Sequence, residues 1–463
     1  MNFFIYAIEF LNINFAEPIV AFMEPAKNLI ASSFSMPTVL LGSLALFLIL
    51  RVPIGIALGL GSVLVFWLTD EPFASLALSY YSGLDKFPFI AVPMFLLAGA
   101  LMEKGGISKR LISISDCFVG NVRGGLAHVT ILSCMLFAAI SGSGPATTAA
   151  VGGLMIPTML RRQYDKNYSG AVAACGGTLG ILIPPSIAMI IYGVSSDQSI
   201  TRLFIAGFLP GILLGFLLMV TASIMARFST VIEEDRPFSF QHSIETIWEA
   251  RWAVFAPVVI LGGIYGGIVT PTESAVLAVI YGFVIGFYVY KELDLKLVRE
   301  CLEIATLVTG TIAIIWGASL AFGELINIHE IPLIVTKFIT GITENPFFIL
   351  VLISLFLTFV GMWLNTMAQI IILTPLFLPV ITQANIDPIH FGIVFVVNCE
   401  IGFLTPPLGT SLFVAMGIAD TTLGRISLAV LPFIVSMLVC VLLLAYFPSI
   451  SLFLPNLILG VGK

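Results

Sequence analysis

The stretch NCEIGFLTPPLGTSLF, residues 398–413, decides how this chain can fold. It carries an acid, Glu400, and two consecutive prolines, Pro406 and Pro407, inside a long apolar segment. Within lipid a chain must satisfy its backbone polar groups internally, and each proline removes an N–H donor and frees a carbonyl group. Such a stretch is tolerated at membrane depth only where protein or a water-filled cavity surrounds it. The stretch therefore indicates a functional site within a membrane domain.

The composition is that of a polytopic membrane protein. The 463 residues are 59% hydrophobic and 10% charged, whereas soluble domains are about 45–50% apolar and about 25% charged. Apolar stretches approaching the ~20 residues of a membrane span recur roughly a dozen times. The net charge of −6 and the lack of a basic stripe exclude nucleic acid as a partner. The sequence contains no P-loop, HExxH or GxSxG motif, so neither ATP hydrolysis nor a familiar hydrolase is indicated.

The two halves of the chain repeat one another. Three proline features recur in the same order, at offsets of 218, 222 and 222 residues. These pairs are Pro157 with Pro375, Pro184–Pro185 with Pro406–Pro407, and Pro210 with Pro432. Internal repeats in a membrane protein are typical of secondary transporters.

The loops indicate that the repeats are inverted. The loop LRRQYDKNY, residues 160–168, carries three basic residues, whereas its counterpart ITQANIDPIH, residues 381–390, has no lysine or arginine. Cytoplasmic loops are enriched in lysine and arginine. We therefore expect the first loop in the cytoplasm and the second on the opposite side of the membrane.

Four interrupted segments predict the site. AISGSGPATTAA, residues 139–150, and GMWLNTMA, residues 361–368, suit the polar tips of two re-entrant hairpins. GILIPPS, residues 180–186, and GFLTPPL, residues 402–408, suit two discontinuous helices. Freed carbonyl oxygens and half-helix ends bind hard cations. Two such assemblies predict two cation sites that suit Na⁺ better than a transition metal.

These segments set the expected organisation of the chain. Residues 1–37 are an N-terminal extension, 226–251 a connecting segment and 451–463 a C-terminal tail. The first repeat covers 38–225, with hairpin 1 at about 129–160 and a broken helix at about 169–193. The second covers 252–450, with hairpin 2 at about 346–382 and a broken helix at about 390–419.

Two acids need separate interpretation. Acidic residues in membrane segments are rare and usually functional. Glu400 could line a cavity, carry a proton or support a neighbouring group, and we favour structural support for the second cation site. Glu273, in TPTESA, stands at the start of an apolar segment, so we expect it to cap a helix.

The chain resembles a known family over nearly its whole length. The segments AAISGSGPATTAAVGGLMIPTM, RRQYDKNYSGAVAACGGTLGILIPPSIAMIIYG, TPTESAVLAVIYG and NCEIGFLTPPLGTSLFV resemble the large membrane subunit of TRAP transporters, the tripartite ATP-independent periplasmic transporters. The resemblance implies an all-α polytopic protein of the bacterial inner membrane. It also implies the elevator fold of the ion-transporter superfamily, with inverted repeats, two re-entrant hairpins and two discontinuous helices.

The resemblance also implies site residues at matching positions. The first Na⁺ site, here called the first cage, would use mostly main-chain carbonyls of Ser141, Ser143, Gly180, Ile183 and Pro185. The second Na⁺ site, the second cage, would use Gly361, Gly402, Thr405 and Leu408, with the Thr405 hydroxyl added. The solute would lie near Thr147, Thr148, Ser186, Asn365 and Thr366. Members of the family often carry an acid where Asn365 stands, so this pocket is expected to be less negative.

The implied function is Na⁺-driven uptake of a small organic acid. The implied partners are a small four-helix membrane subunit and a periplasmic binding protein that delivers the solute, with no organic cofactor. A C4-dicarboxylate is the first expectation for the solute, and sialic acid or another sugar acid is an alternative. A stand-alone Na⁺- or H⁺-coupled anion symporter of the same fold is the nearest rival. An intramembrane enzyme is disfavoured, because no paired catalytic set accompanies Glu400.

Overall fold

A computed structural model describes residues 17–122, 124–227 and 240–460. These residues form α-helices joined by short turns, and they contain no β-strand. The helices up to residue 196 are α1 Glu17–Ser33, α2 Met36–Ile49, α3 Ile54–Thr69, α4 Phe73–Leu84, α5 Ala91–Lys104, α6 Ile107–Val119, α7 Gly125–Ser141, α8 Gly144–Arg161, α9 Lys166–Leu182 and α10 Ile187–Ser196.

The later helices follow the same pattern. They are α11 Ile200–Ala226, α12 Phe240–Glu249, α13 Arg251–Tyr265, α14 Pro271–Val284, α15 Leu295–Ile328, α16 Ile331–Ile342, α17 Pro346–Gly361, α18 Thr366–Gln383, α19 Pro388–Gly402, α20 Thr410–Ala419, α21 Leu423–Tyr446 and α22 Ser449–Leu459. A 3₁₀ turn, Phe87–Ile90, precedes α5, and a π-helical turn, Ile285–Val289, extends α14.

Polar residues set where several helices begin. The Asp165 side chain accepts hydrogen bonds from the backbone N–H groups of Asn167 and Tyr168 at the start of α9. At the start of α14, Thr270 and Glu273 form a capping box, in which the Glu273 carboxylate accepts the Thr270 N–H at 2.7 Å. Such caps satisfy donors that the helix itself leaves unpaired. The expected capping role of Glu273 is thus confirmed, with Thr270 as the N-cap residue.

The apolar helices account for the membrane character of the chain. Among the described residues, six helices are long and apolar enough to cross a membrane, and the number rises to nine if each of three bent pairs is one span. Seven further apolar helices have only 10–17 residues. Three of these short helices are α17, α19 and α20.

The chain divides into two compact units. The first contains the described part of Met1–Leu84 together with Ala313–Ile334. Its core is tied by Trp316, whose ring N–H donates to the Gly83 carbonyl at 2.9 Å. Close helix contacts require small residues here: a β-carbon on Gly55 would lie 3.0 Å from the Ile314 side chain.

The second unit, Asp85–Ile312 with Val335–Lys463, contains every residue of the predicted site. Two helices form its centre. All residues of α9 from Ser169 to Leu182 are buried, and so are those of α19 from Ile389 to Gly402. Helix α9 packs against α7, α8, α20 and α21, and α19 packs against α17, α18, α11 and α21. Because these helices are covered on all sides, their backbones are held in place where each one ends.

Candidate functional site

Hairpin 1 turns at a position that only glycine suits. Helix α7 ends at Gly142, whose φ of +62° is left-handed, and the extended residue Ser143 leads into α8. A β-carbon on Gly142 would also lie 2.9 Å from the carbonyl oxygen of Pro185. The Gly142 carbonyl in turn accepts a hydrogen bond from the Ile187 N–H at 3.3 Å. The turn is therefore docked on the break between α9 and α10.

The first cage brings hydroxyl and carbonyl oxygens together at this turn. The Ser141 and Thr147 hydroxyls are 2.7 Å apart, and the Thr147 hydroxyl donates to the Ser143 carbonyl at 2.8 Å. A β-carbon on Gly180 of α9 would lie 2.4 Å from the Thr147 hydroxyl and 2.6 Å from the Ser143 carbonyl oxygen. The structure thus brings Ser141, Ser143 and Gly180 close together, and Thr147 lies among them.

The break after α9 supplies the rest of the first cage. Ile183 leaves the helix in an extended conformation, and a cis bond joins Pro184 to Pro185. Ser186 then caps α10, since its hydroxyl accepts a hydrogen bond from the Met189 N–H at 3.2 Å. The axes of α9 and α10 differ by 41°. The Pro185 carbonyl oxygen faces hairpin 1, where it would lie 2.9 Å from a β-carbon on Gly142.

Hairpin 2 is built in the same way on α17 and α18. Helix α17 ends at Gly361, and Asn365 caps α18 through its side-chain oxygen, which accepts the Ala368 N–H at 2.9 Å. Thr366, at the start of α18, is 1% exposed, and its hydroxyl has no hydrogen-bond partner among the described residues. The tip therefore presents one capped helix end and one buried free hydroxyl.

The second cage forms where hairpin 2 meets the break after α19. A β-carbon on Gly402 would lie 2.6 Å from the Gly361 carbonyl oxygen, so the two backbones are in direct contact. The Leu408 N–H donates to the Met362 carbonyl at 3.0 Å, which ties the loop after α19 to the hairpin. The Thr405 hydroxyl, in the turn after α19, donates to the Ile401 carbonyl in the last turn of that helix at 2.7 Å. The structure thus brings Gly361, Gly402, Thr405 and Leu408 together.

The predicted solute residues are enclosed within the two tips. Thr147, Thr148 and Ser186 are 0% exposed, whereas Asn365 is half-buried. The Thr148 hydroxyl donates to the Gly144 carbonyl at 3.1 Å and packs tightly on Gly177. In this conformation, then, most of these side chains face protein.

Glu400 differs from its expected position. Its helix, α19, leads into the second cage, but the carboxylate reaches hairpin 1. A β-carbon on Gly144 would lie 3.1 Å from the Glu400 Oε2 atom. From the sequence we favoured structural support for the second cation site. That role does not account for the contact with hairpin 1.

Sequence reasoning missed Gln369. It is fully buried in α18, where its side-chain N–H donates to the Leu357 carbonyl at 2.6 Å. Its Oε1 atom has no hydrogen-bond partner among the described residues and would lie 3.3 Å from a β-carbon on Gly361. The sequence did contain a signal for it, because an amide side chain stands within an apolar segment close to a predicted hairpin tip.

A separate cavity of about 410 Å³ lies at the other end of hairpin 1. It is lined in part by polar and charged side chains that include Lys109, Asp116, Thr158 and Arg161. None of the predicted site residues lines it.

The chain is similar to known transport proteins. Residues 41–450 match the family described as "Tripartite ATP-independent periplasmic transporter, DctM component". The chain is 41% identical to the isethionate TRAP transporter permease protein DctMQ of Oleidesulfovibrio alaskensis, over 90% of this chain and 66% of that longer protein. It is 38% identical to the C4-dicarboxylate TRAP transporter large permease protein DctM of Pseudomonas aeruginosa, over 86% of this chain and 94% of that one.

Two further proteins extend the comparison. The sialic acid TRAP transporter permease protein SiaT of Haemophilus influenzae is 36% identical, over 89% of this chain and 67% of its own length. The crystal structure of the Alcanivorax borkumensis YdaH transporter matches with a TM-score of 0.59 at 16% identity, covering 81% of this chain and 88% of that chain. At that identity the likeness concerns the fold alone.

Proposed function

Since the chain belongs to the DctM family of tripartite ATP-independent periplasmic transporters, it is a multi-pass inner-membrane transport protein, and we propose that it couples Na⁺ entry to the uptake of a small organic acid. The observation that carries the proposal is the pair of hairpin–break assemblies. Each one packs a hairpin turn on the end of a broken helix: Gly142 on Pro185, and Gly361 on Gly402.

The residues of both cages suit Na⁺ as a co-transported ion. Their donors are carbonyl and hydroxyl oxygens, which hard cations prefer. Buried oxygens without a hydrogen-bond partner in the described residues lie at the second assembly, on Gln369 and Ser411. Unpaired buried polar atoms are costly, so a bound cation or its water would relieve them. The ion supplies positive charge at the tips where an anionic solute would bind.

The solute would bind between the tips. Thr147, Thr148, Ser186, Asn365 and Thr366 supply hydroxyl and amide groups for a carboxylate or similar anion. Because most of these groups are buried here, the tips must separate before the solute can enter. We propose that a transport domain that holds the two hairpins then carries the solute and ions across the membrane in an elevator-type movement, with alternating access to the two sides.

The solute class follows from chemistry that the named relatives share. They are named for isethionate, C4-dicarboxylates and sialic acid, all of which are small organic anions. A C4-dicarboxylate stays the first candidate for this chain, and a sialic acid or other sugar acid is the alternative. The partners proposed with it are a small four-helix membrane subunit and a periplasmic solute-binding protein.

Uptake into proteoliposomes tests the proposal. Vesicles would contain this chain and the small subunit, and labelled isethionate, C4-dicarboxylates and sialic acid would be supplied with candidate binding proteins. We expect uptake of one of these anions only with an inward Na⁺ gradient and with its binding protein present. Uptake that needs Na⁺ but no binding protein would instead support a stand-alone symporter, and uptake without Na⁺ would contradict the coupling.

A further inference from the structure

Glu400 is a buried carboxylate in the centre of the second unit. Its exposure is 0%, and neither carboxylate oxygen has a hydrogen-bond partner among the described residues. A charge buried in this way costs a large amount of free energy unless another charge compensates it.

A neighbouring buried residue, Asn398, shows how a polar side chain with a structural role is hydrogen-bonded in this helix. Asn398 lies two residues earlier on the same helix and is also fully buried. Its amide donates to the Ser354 hydroxyl at 3.1 Å and to the Val394 carbonyl at 2.7 Å, and its oxygen accepts from Thr358 at 3.1 Å. Glu400 has no equivalent set of contacts, so structural support alone does not account for it.

The position of Glu400 relates it to the first cage. Its Oε2 atom faces Gly144, which directly follows Ser143 of the first cage. Gly402, two residues later on the same chain, meets Gly361 on another side of α19, because residues i and i+2 of a helix do not share a face. A carboxyl side chain from the second repeat thus lies beside the turn of hairpin 1.

Two basic side chains on helices packed against α19, Lys166 and Arg202, have other partners. Helix α9 carries Lys166 at its first position, and the Gly177 backbone, eleven residues later and about 16 Å along the helix, lies beside Gly144. Lys166 donates instead to the Asp420 carbonyl, and Arg202 of α11 donates to Gly460 and Asn456.

We infer that Glu400 is a counter-charge for the first cage, and that it raises the affinity of this cage for Na⁺. The inference depends on the proposed Na⁺ coupling and adds a residue outside either ligand set. It assigns the side chain to charge compensation and positioning, without direct contact with the solute. In a poorly solvated interior, one negative charge beside the first cage strengthens cation binding there.

The test measures Na⁺ binding apart from transport. Purified full-length protein would be heated at increasing NaCl, with choline chloride keeping the ionic strength constant, and the Na⁺ concentration giving half of the rise in Tm would be recorded. For Glu400→Gln, which keeps the shape and removes the charge, we expect this concentration to rise about tenfold. Glu400→Asp keeps the charge and should stay closer to the original protein.

His390→Gln is the matched control. His390 is buried in the same helix, bonded to Ser451 at 2.7 Å, and lies ten residues or about 15 Å before Glu400. Its Na⁺ midpoint should not change. In proteoliposomes Glu400→Gln should raise the KM for Na⁺ while leaving the KM for solute near its original value at saturating Na⁺.

A second variant covers the case in which Glu400→Gln does not fold. Gly144→Ala places a methyl group 3.1 Å from the carboxylate oxygen, so it displaces the charge without removing it. We expect it to raise the Na⁺ midpoint, whereas Gly153→Ala, in open space on the same helix, should not. A Glu400→Gln midpoint equal to that of the original protein would overturn the inference alone. An original protein that Na⁺ does not stabilise over choline would overturn the Na⁺ coupling and the inference together.

Discussion

Gly361 and Gly402 meet through their backbones: a β-carbon on Gly402 would stand 2.6 Å from the Gly361 carbonyl oxygen and 2.8 Å from the Gly361 α-carbon. The end of one half-length helix is thereby pressed against the start of a helix break. Any side chain larger than a hydrogen atom at Gly402 would push hairpin 2 away from α19. The contact fixes the distance between the two elements that form the second cage.

Gly402→Ala should therefore separate hairpin 2 from α19. Overpacking of this kind costs about 1–3 kcal/mol, and here the backbone itself must move. We expect a lower Tm and a weaker stabilisation by Na⁺, measured by thermal unfolding of the purified protein. Gly417→Ala is the control, because nothing lies within 4 Å of its added methyl group. Equal effects of the two substitutions would show that the contact is unimportant.

The Ser141 hydroxyl gives a second prediction, at the first cage. It lies 2.7 Å from the Thr147 hydroxyl and 3.5 Å from the Ser143 carbonyl oxygen. Ser141→Ala removes an oxygen from the cage and leaves Thr147 with one partner fewer. We expect the Na⁺ concentration for half-maximal uptake to rise severalfold, with little change in Tm in the absence of Na⁺.

Threonine at this position is the matched control for Ser141. Ser141→Thr keeps the hydroxyl and should retain most of the Na⁺ response, provided that the added methyl group is accommodated. If Ser141→Ala took up solute with the original Na⁺ dependence, the first cage would not use this side chain.

Local signals in the sequence predicted much of this arrangement. Both helix breaks occur at the proline pairs, and the turn of hairpin 1 falls within the glycine- and serine-rich stretch, since proline and glycine act on the backbone where they stand. Motifs that occur in order along the chain predicted the family and the inner-membrane location. The match to the family over residues 41–450 confirms both.

Long-range packing explains what could not be predicted. The sequence shows that Glu400 precedes Gly402, but not that its side chain reaches Gly144, because that depends on how α19 and hairpin 1 are rotated against each other. The grouping of Ala313–Ile334 with the N-terminal helices is another case. Contacts such as that between Trp316 and Gly83 join residues more than two hundred positions apart. No local pattern encodes them.

Trp316 provides a prediction for the first unit. It is 1% exposed, and its ring N–H is hydrogen-bonded to the Gly83 carbonyl. Trp316→Phe leaves that carbonyl unsatisfied and removes part of a packed ring, so we expect a loss of stability of about 1–3 kcal/mol by denaturant unfolding. Trp248→Phe, at a position 69% exposed, should change stability little. A Trp316→Phe protein as stable as the Trp248→Phe protein would contradict the proposed role of the hydrogen bond.

Glu292 predicts how stability depends on pH. Burial raises the pKa of this carboxyl, but hydrogen bonds from Lys109 and Arg110, at 2.9 and 2.7 Å, outweigh it and leave the pKa below its usual 4.5. A lowered pKa stabilises the folded protein above pH 4.5, and that contribution is lost as the pH falls through the lowered value. The Tm difference between the original protein and Glu292→Gln should therefore shrink on acidification below pH 4.5.

Glu303→Gln is the control for Glu292. Glu303 pairs with Arg299 one turn away, and both side chains are largely exposed. Exposed pairs of this kind contribute little, so its Tm difference should be small at every pH. A Glu292→Gln difference that grew on acidification would contradict the assigned sign.

Gln369 gives the last prediction, at the second cage. One end of its amide is held by the Leu357 carbonyl, so the Oε1 atom is fixed near Gly361 without a hydrogen-bond partner among the described residues. We expect that oxygen to support Na⁺ binding at the second cage. Gln369→Leu removes it at similar volume, so the Na⁺ concentration for half-maximal stabilisation should rise severalfold. Thr374→Val changes another buried oxygen of the same helix, about 7 Å farther along, and should leave the Na⁺ response unchanged. Because both substitutions remove one buried polar group from α18, an equal change in the two proteins would indicate a general effect on the helix and would exclude a specific role for Gln369.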